Sequence, residues 1–254
     1  MDLTAIGLIP ATIIITTIAI GAFLKGVTGV GLPIFAIPAL AMFLPVDNAV
    51  VVMAIPSLVA NAWLIVVHWE HLPIMKEHRT FLALGFIGAL LGTWLLATID
   101  DSLLRIVLAS WLGIYLLQHY ARRTTSDVYA GKADLAGVLG LAAGALQGTT
   151  GISAPVVAPY YHARGLTLSA YAFAVACTFA LLAAGQLSAM TTVRLFTPTL
   201  LGYGLLATVT TLVFLPIGVR FGRKMQQRTF DRFLPIVFVL IEIKLVYDIL
   251  DSYL

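Results

Sequence analysis

The stretch Lys25-Gly26-Val27-Thr28-Gly29 recurs 122 residues later as Gln147-Gly148-Thr149-Thr150-Gly151, and each copy is followed four residues on by a proline, Pro33 and Pro155. Both copies are embedded in apolar sequence. Glycine-rich, non-helical backbone at membrane depth survives only where protein covers it or a wet cavity accepts its N–H and C=O groups. Two such breaks at corresponding positions of two halves point to a transport site made from interrupted helices.

The charge distribution places the breaks at membrane depth. The chain has 254 residues, of which 60% are hydrophobic and 11% charged, with a mean hydropathy of +0.99. A soluble chain would be roughly a quarter charged. Here the windows 48–67, 80–99 and 195–219 carry no charge at all, and each is long enough to span. The N-terminus lacks a basic n-region and a small-residue cleavage site, so the apolar run 3–24 reads as retained. Net charge is +3 and the pI about 9.1, but the basic residues report topology, and no nucleic-acid partner is expected. The single cysteine, Cys177, excludes an intramolecular disulfide and a Cys-x-x-Cys relay.

Long apolar segments fall near 48–68, 80–99, 102–120, 167–191, 196–217 and 231–250, against the roughly 20 residues a span needs. Less regular runs at 4–24, 32–45, 134–147 and 152–162 flank the two glycine motifs. Basic residues in short loops stay cytoplasmic. Lys76, Arg79, Arg122, Arg123, Lys132, Arg164, Arg220, Arg223, Lys224, Arg228 and Arg232, eleven of the 15, can all share that face. Asp47, Asp100, Asp101, Asp248 and Asp251 then face outward, and so do both termini. This requires each motif-containing pair of runs to form a hairpin, with three full spans following in each half. An odd number of crossings inverts the second half relative to the first. A parallel duplication would put the basic loops on opposite faces.

The expected fold is therefore an all-α polytopic membrane protein of two inverted-topology repeats, each a broken-helix hairpin plus about three transmembrane helices. Residues 1–121 form the first repeat, with its break at 25–33, and 134–254 the second, with its break at 147–155. The polar stretch 122–133 is a basic cytoplasmic linker between them. The stretch 220–232 is a basic cytoplasmic turn, able also to lie on acidic lipid.

Gly26, Gly29 and Gly31, and Gly148 and Gly151 in the second copy, allow tight or left-handed backbone, while Pro33 and Pro155 suit the first turn of a new helix. A helix restarting there offers free amides and the positive end of its dipole, a cradle for a small anion. Thr28, Thr149, Thr150 and Ser153 bring hydroxyls, and Gln147 an amide able to donate or accept. Lys25 ends an apolar run on the side away from the basic loops. A buried ammonium there marks a functional site by default, against the plainer reading of a lysine that snorkels to the interface, as Arg105 does. Glu242, near the middle of the last span, is a candidate proton carrier or a structural ion-pair partner; Lys244 lies on another face of the helix. Asn61 and Gln186 either line the cavity or hydrogen-bond between helices.

Gly88 with Gly92, Gly140 with Gly144 and Gly148, and Gly218 with Gly222 have the spacing of close helix contacts. His68, Trp69 and His71 fit an interfacial belt. There is no Gly-x-Ser-x-Gly, His-Glu-x-x-His or P-loop, so no enzyme activity, ATP hydrolysis, metal or cofactor is expected.

The stretch Gly26-Val27-Thr28-Gly29-Val30-Gly31-Leu32-Pro33, its second copy Gly148-Thr149-Thr150-Gly151-Ile152-Ser153-Ala154-Pro155, and the length and duplication of the chain resemble the sulfite exporter TauE/SafE family of bacterial and archaeal membrane proteins. Members usually carry glycine where this chain has Ser153 and Ala154. The resemblance covers nearly the whole chain. It implies transport, mostly export, of sulfite, sulfoacetate or another organosulfonate across the cytoplasmic (inner) membrane. The expected mechanism is alternating access, with protons as a candidate coupling ion. A passive anion channel and a non-transporting scaffold or assembly factor are the alternative readings, and the sequence leaves the oligomeric state open.

Overall fold

The structure, a computed structural model, describes residues 7–28, 31–120, 135–222 and 239–250. Gly29, the linker 122–133 and the 223–232 part of the basic turn lie outside them, as does the side chain of Thr28. The described chain is helical throughout: α1 (Leu8–Thr28), α2 (Leu32–Ala41), α3 (Val46–Val67), a 3-10 segment (Trp69–His78), α4 (Arg79–Thr98), α5 (Asp101–Tyr120), α6 (Ala136–Thr150), α7 (Ala154–His162), α8 (Leu168–Thr192) and α9 (Pro198–Gly222), then α10 over 239–250.

Five stretches among the described residues are long and apolar enough to cross a bilayer: Leu8–Val27, Val46–Val67, Trp69–Thr98, Leu168–Thr192 and Pro198–Gly222. The protein is an all-α polytopic membrane protein. The expected span 102–120 is a helix, α5. Of the expected span 231–250, only 239–250 is described.

The chain divides into two compact units. One comprises Met1–Pro56, Ile99–Arg122 and Phe196–Leu254; the other comprises Ser57–Thr98 and Arg123–Leu195. Each draws on both halves of the sequence. In the first unit the dominant pairing is α1 with α9, and in the second it is α4 with α6. The pairings are reciprocal, since the first α-helix of each half packs against the fourth α-helix of the other.

Both pairings are made by glycine. Gly140, Gly144 and Gly148 recur every four residues and so share one face of α6. They lie directly on the α4 backbone at Phe81, Gly85, Ala89 and Thr93, while Gly88 and Gly92 of α4 lie on Leu141 and Ala145. In the other unit Gly26 sits on Leu215, Gly218 and Val219, and Gly218 and Gly222 on Phe23 and Val27. Lipid gives no hydrophobic drive between helices, so small residues that admit close backbone contact supply it through packing. The opposite faces carry the bulk. Ile87, Leu91 and Trp94 of α4, and Leu205, Val209 and Leu212 of α9, are exposed.

The two short helices are sheathed. All of α2 except Pro33 is buried, as are Pro155, Val156, Val157, Tyr160 and Tyr161 of α7. This is the cover that interrupted backbone needs in hydrocarbon.

A Cβ at Gly148 would lie 2.5 Å from the Ala89 carbonyl oxygen and 2.6 Å from the Gly92 carbonyl carbon, both backbone atoms. Gly148→Ala should therefore destabilise the protein by about 1–3 kcal/mol through overpacking, and Gly148→Leu should prevent folding. Thermal unfolding of the two purified variants in one detergent checks the order. An alanine variant as stable as the wild type would contradict the seat described.

Candidate functional site

The sequence places non-helical chain across each whole glycine motif, but the structure confines it to the motif's end. Helix α1 continues through Lys25 and Gly26 to Thr28, and α6 through Gln147, Gly148 and Thr149 to Thr150. Gly26 and Gly148 are helical because a neighbouring backbone fills the space where their side chains would be. The break proper falls after them. Gly31, with φ 134°, precedes α2, and Gly151, with φ 70°, ends α6. These are conformations that L-residues rarely adopt. Pro33 and Pro155 occupy the first turns of α2 and α7, as their sequence positions predict.

Lys25 lies in the last turn of α1, and its residue is 2% exposed. A cation in the last turn of a helix is favoured by the dipole. Among the described residues the rest of the first break is Gly31, which is buried, and the opening turn of α2.

The second break holds a buried hydrogen-bonded network. The Ser153 hydroxyl donates to Gln147 Oε1 at 2.8 Å, and Gln147 Nε2 donates to Gln186 Oε1 at 3.0 Å. Gln186 Nε2 in turn donates to the Gln147 carbonyl at 2.7 Å. Gln147, Ser153 and Gln186 are each under 5% exposed. The network joins α8 to the end of α6 and the start of α7, and it fixes the orientation of the Gln147 amide. The main chain adds Gly151 N–H donating to the Gln147 carbonyl at 2.8 Å.

At the second break the hydroxyls expected as donors to a ligand are committed to the protein. Thr149 donates to the Ala145 carbonyl at 2.8 Å and Thr150 to the Leu146 carbonyl at 2.8 Å, the common i−4 bond of a helical threonine. Ser153 donates to Gln147. What the break offers a ligand is main chain: the amides of Ser153 and Ala154, at the start of α7, make no hydrogen bond among the described residues. The second proton of Gln147 Nε2 adds to them.

Gln186 thus bonds between helices. Asn61 is buried, and its Nδ2 donates to the Ser57 carbonyl one turn back on α3 at 2.8 Å. Glu242 lies on α10. Its Oε1 faces Gly113 of α5, and its Oε2 is buried without a hydrogen-bond partner among the described residues. Lys244 pairs with Asp248.

Two clusters have no counterpart in the sequence reading. Arg105, expected to snorkel, instead holds the end of α2. It donates to the Ala41 carbonyl at 2.9 Å and to Asp101 at 2.7 Å, and Asp101 accepts the Val46 amide that opens α3 at 2.6 Å. In the other unit, Arg164 donates to the Tyr160 carbonyl of α7 and lies 3.4 Å over the Tyr160 ring centre. Tyr160 also stacks on Phe81 at 3.8 Å and hydrogen-bonds His78. Tyr161 bonds Thr178 at 2.8 Å. The adjacent tyrosines after Pro159 were the available signal, but nothing local identifies their partners.

All-α, apolar on its exposed faces and interrupted at two breaks, the fold defines a multi-pass membrane protein. The family model described as "Sulfite exporter TauE/SafE" matches residues 13–245. The chain belongs to this family, whose members are membrane transporters of the sulfite and sulfur-anion exporter type rather than enzymes. No curated protein and no solved structure matches it.

Gln186→Leu removes the donor to the Gln147 carbonyl and the acceptor for the Gln147 amide, leaving buried polar groups unpaired. It should lower unfolding stability by roughly 1–3 kcal/mol, against little change for the exposed Ser188→Ala. Parallel thermal melts in detergent measure the difference, and equal melts would mean the network contributes nothing.

Proposed function

We propose that the protein is a secondary transporter, working as an exporter, that moves a small sulfur-containing oxyanion such as sulfite, sulfoacetate or another organosulfonate across the cytoplasmic membrane. The observation that carries this reading is the start of α7: a buried helix terminus whose first amides have no hydrogen-bond partner among the described residues and whose neighbouring side chains are pinned by a neutral hydrogen-bonded network. Amide N–H groups at the positive end of a helix suit an oxyanion. The first break has a helix start of its own, at α2, with Lys25 in the last turn of α1 before it. Family membership supports the anion, and the sulfur-bearing class follows from the family.

The transport cycle on this reading is alternating access of two inverted repeats, 1–121 and 134–254, with both termini outside and the linker 122–133 cytoplasmic. The reciprocal pairing of first and fourth α-helices between the halves supports the duplication. Glu242 is the proposed proton carrier. A carboxylate with one oxygen buried and unpartnered can bind a proton at lower cost than one held in an ion pair.

Uptake and counterflow of labelled sulfite, sulfoacetate, taurine and a carboxylate control in proteoliposomes test the substrate. Wild type should show saturable counterflow of a sulfur oxyanion, which a passive channel would not. Lys25→Ala should reduce its rate by about ten-fold or more, corresponding to loss of one charged hydrogen bond, and Lys25→Arg should recover part of it. If no anion moves in vesicles holding folded protein, the transport reading fails.

Glu242→Gln should keep counterflow but lose the response of net transport to an imposed pH gradient. An active variant with an unchanged pH-gradient response would remove Glu242 from coupling.

A further inference from the structure

The chain passes between its two compact units four times. At Thr98–Ile99 and at Leu195–Phe196 it does so in connections between helices, and the passage at Arg122–Arg123 lies outside the described residues. At Pro56–Ser57 it passes in the middle of a continuous helix, α3. A short connection absorbs relative movement readily, whereas each turn of a helix is held by its own hydrogen bonds. We propose that α3 is a hinge between the two units and that Pro56 is its pivot. Its use in transport rests on the alternating-access reading; the hinge itself rests on the construction of α3.

Hydrogen bonding along α3 is weakened on both sides of this point. Proline has no N–H, so Pro56 gives nothing to the Val52 carbonyl, its partner in an α-helix, and its ring crowds that oxygen. Long helices bend at such sites. Gly204 of α9, which belongs to the same unit as Val52, lies beside the carbonyl: a Cβ there would stand 3.6 Å from the oxygen. With no side chain at 204, that space stays open to a tilt of the peptide. Beyond the pivot, in the other unit, Asn61 Nδ2 donates to the Ser57 carbonyl at 2.8 Å, and both residues are buried. A side chain bonded to the carbonyl one turn back competes with the helix's own bond there.

Other prolines lack this placement. Pro38 of α2, Pro159 of α7 and Pro216 of α9 also interrupt helices, but each lies within a single unit. The part of α3 before the pivot is firmly seated, with Ala49 through Ala54 all buried, while Ala62, Val66 and Val67 beyond it are exposed.

The test uses full-length protein in bilayers, with Cys177→Ala and one spin label on each unit, at the exposed positions Trp94→Cys and Leu212→Cys. Label-to-label distances and sulfite counterflow are measured with Pro56 present, in Pro56→Ala and in Pro56→Gly. With Pro56 the distances should form more than one population, and Pro56→Ala should collapse them toward one. Pro56→Ala should slow maximal counterflow about five- to ten-fold, the barrier equivalent of one restored helical hydrogen bond, with the half-saturating concentration unchanged. Its unfolding midpoint should equal or exceed that of the protein with Pro56, since alanine suits a helix interior, which separates a stiffened hinge from a damaged fold. Pro56→Gly, which regains the amide but leaves the helix weak there, should be slowed less. If no anion moves with folded protein, the transport reading fails and the distances alone decide the hinge. A single narrow distance with Pro56 present, or distances that Pro56→Ala leaves unchanged, overturns the hinge whatever the rates.

Discussion

A peptide group without a partner in hydrocarbon costs several kcal/mol, and the rest of this structure follows from meeting that cost at two interruptions. Each interruption is short, and each is covered. Because α1 and α6 stay helical to Thr28 and Thr150, little backbone is released. Because α2 is buried almost whole and α7 over five of its nine residues, what is released meets protein. The glycine contacts of α1 with α9 and α4 with α6 make this cover possible by bringing long helices to backbone contact beside the breaks.

The polarity of the short helices is managed at their outer ends. Arg105 bonds the Ala41 carbonyl at the end of α2, and Arg164 bonds the Tyr160 carbonyl in the last turn of α7. These are the negative ends of the two helix dipoles, where a cation is favourable. The residues come from different contexts, α5 in one case and the chain just after α7 in the other. The two halves thus reach one electrostatic solution by different routes. With the carbonyl ends neutralised, the amide ends are the poles left to act on a ligand.

Much of the fold was legible because uncharged windows as long as a bilayer admit few alternatives. Four expected spans, 48–68, 80–99, 167–191 and 196–217, coincide closely with described helices, and the glycine spacings identified the close contacts. The finer misreadings share one cause: partners distant in sequence. Gly26 and Gly148 look like helix breakers in isolation, yet α9 and α4 supply the surfaces that keep them helical. Thr149, Thr150 and Ser153 look like donors to a ligand until their own acceptors are known. Arg105 looked like a lone interfacial cation, since the carbonyls it holds lie more than sixty residues earlier in the chain. Lys25 and Gln147, singled out as repeat equivalents, are both buried at the ends of corresponding helices.

The glycine seats of α6 have a mechanical consequence. Gly148 lies on α4 only three residues before the left-handed turn at Gly151, a rise of about 4.5 Å along the helix. Sliding α6 past α4 by even part of a turn would lift three glycines out of register and drive neighbouring side chains into backbone. The depth of the second break is therefore set by α4, as if by a ratchet with one tooth engaged, and α4, α6 and that break must travel as a single piece whenever the protein moves.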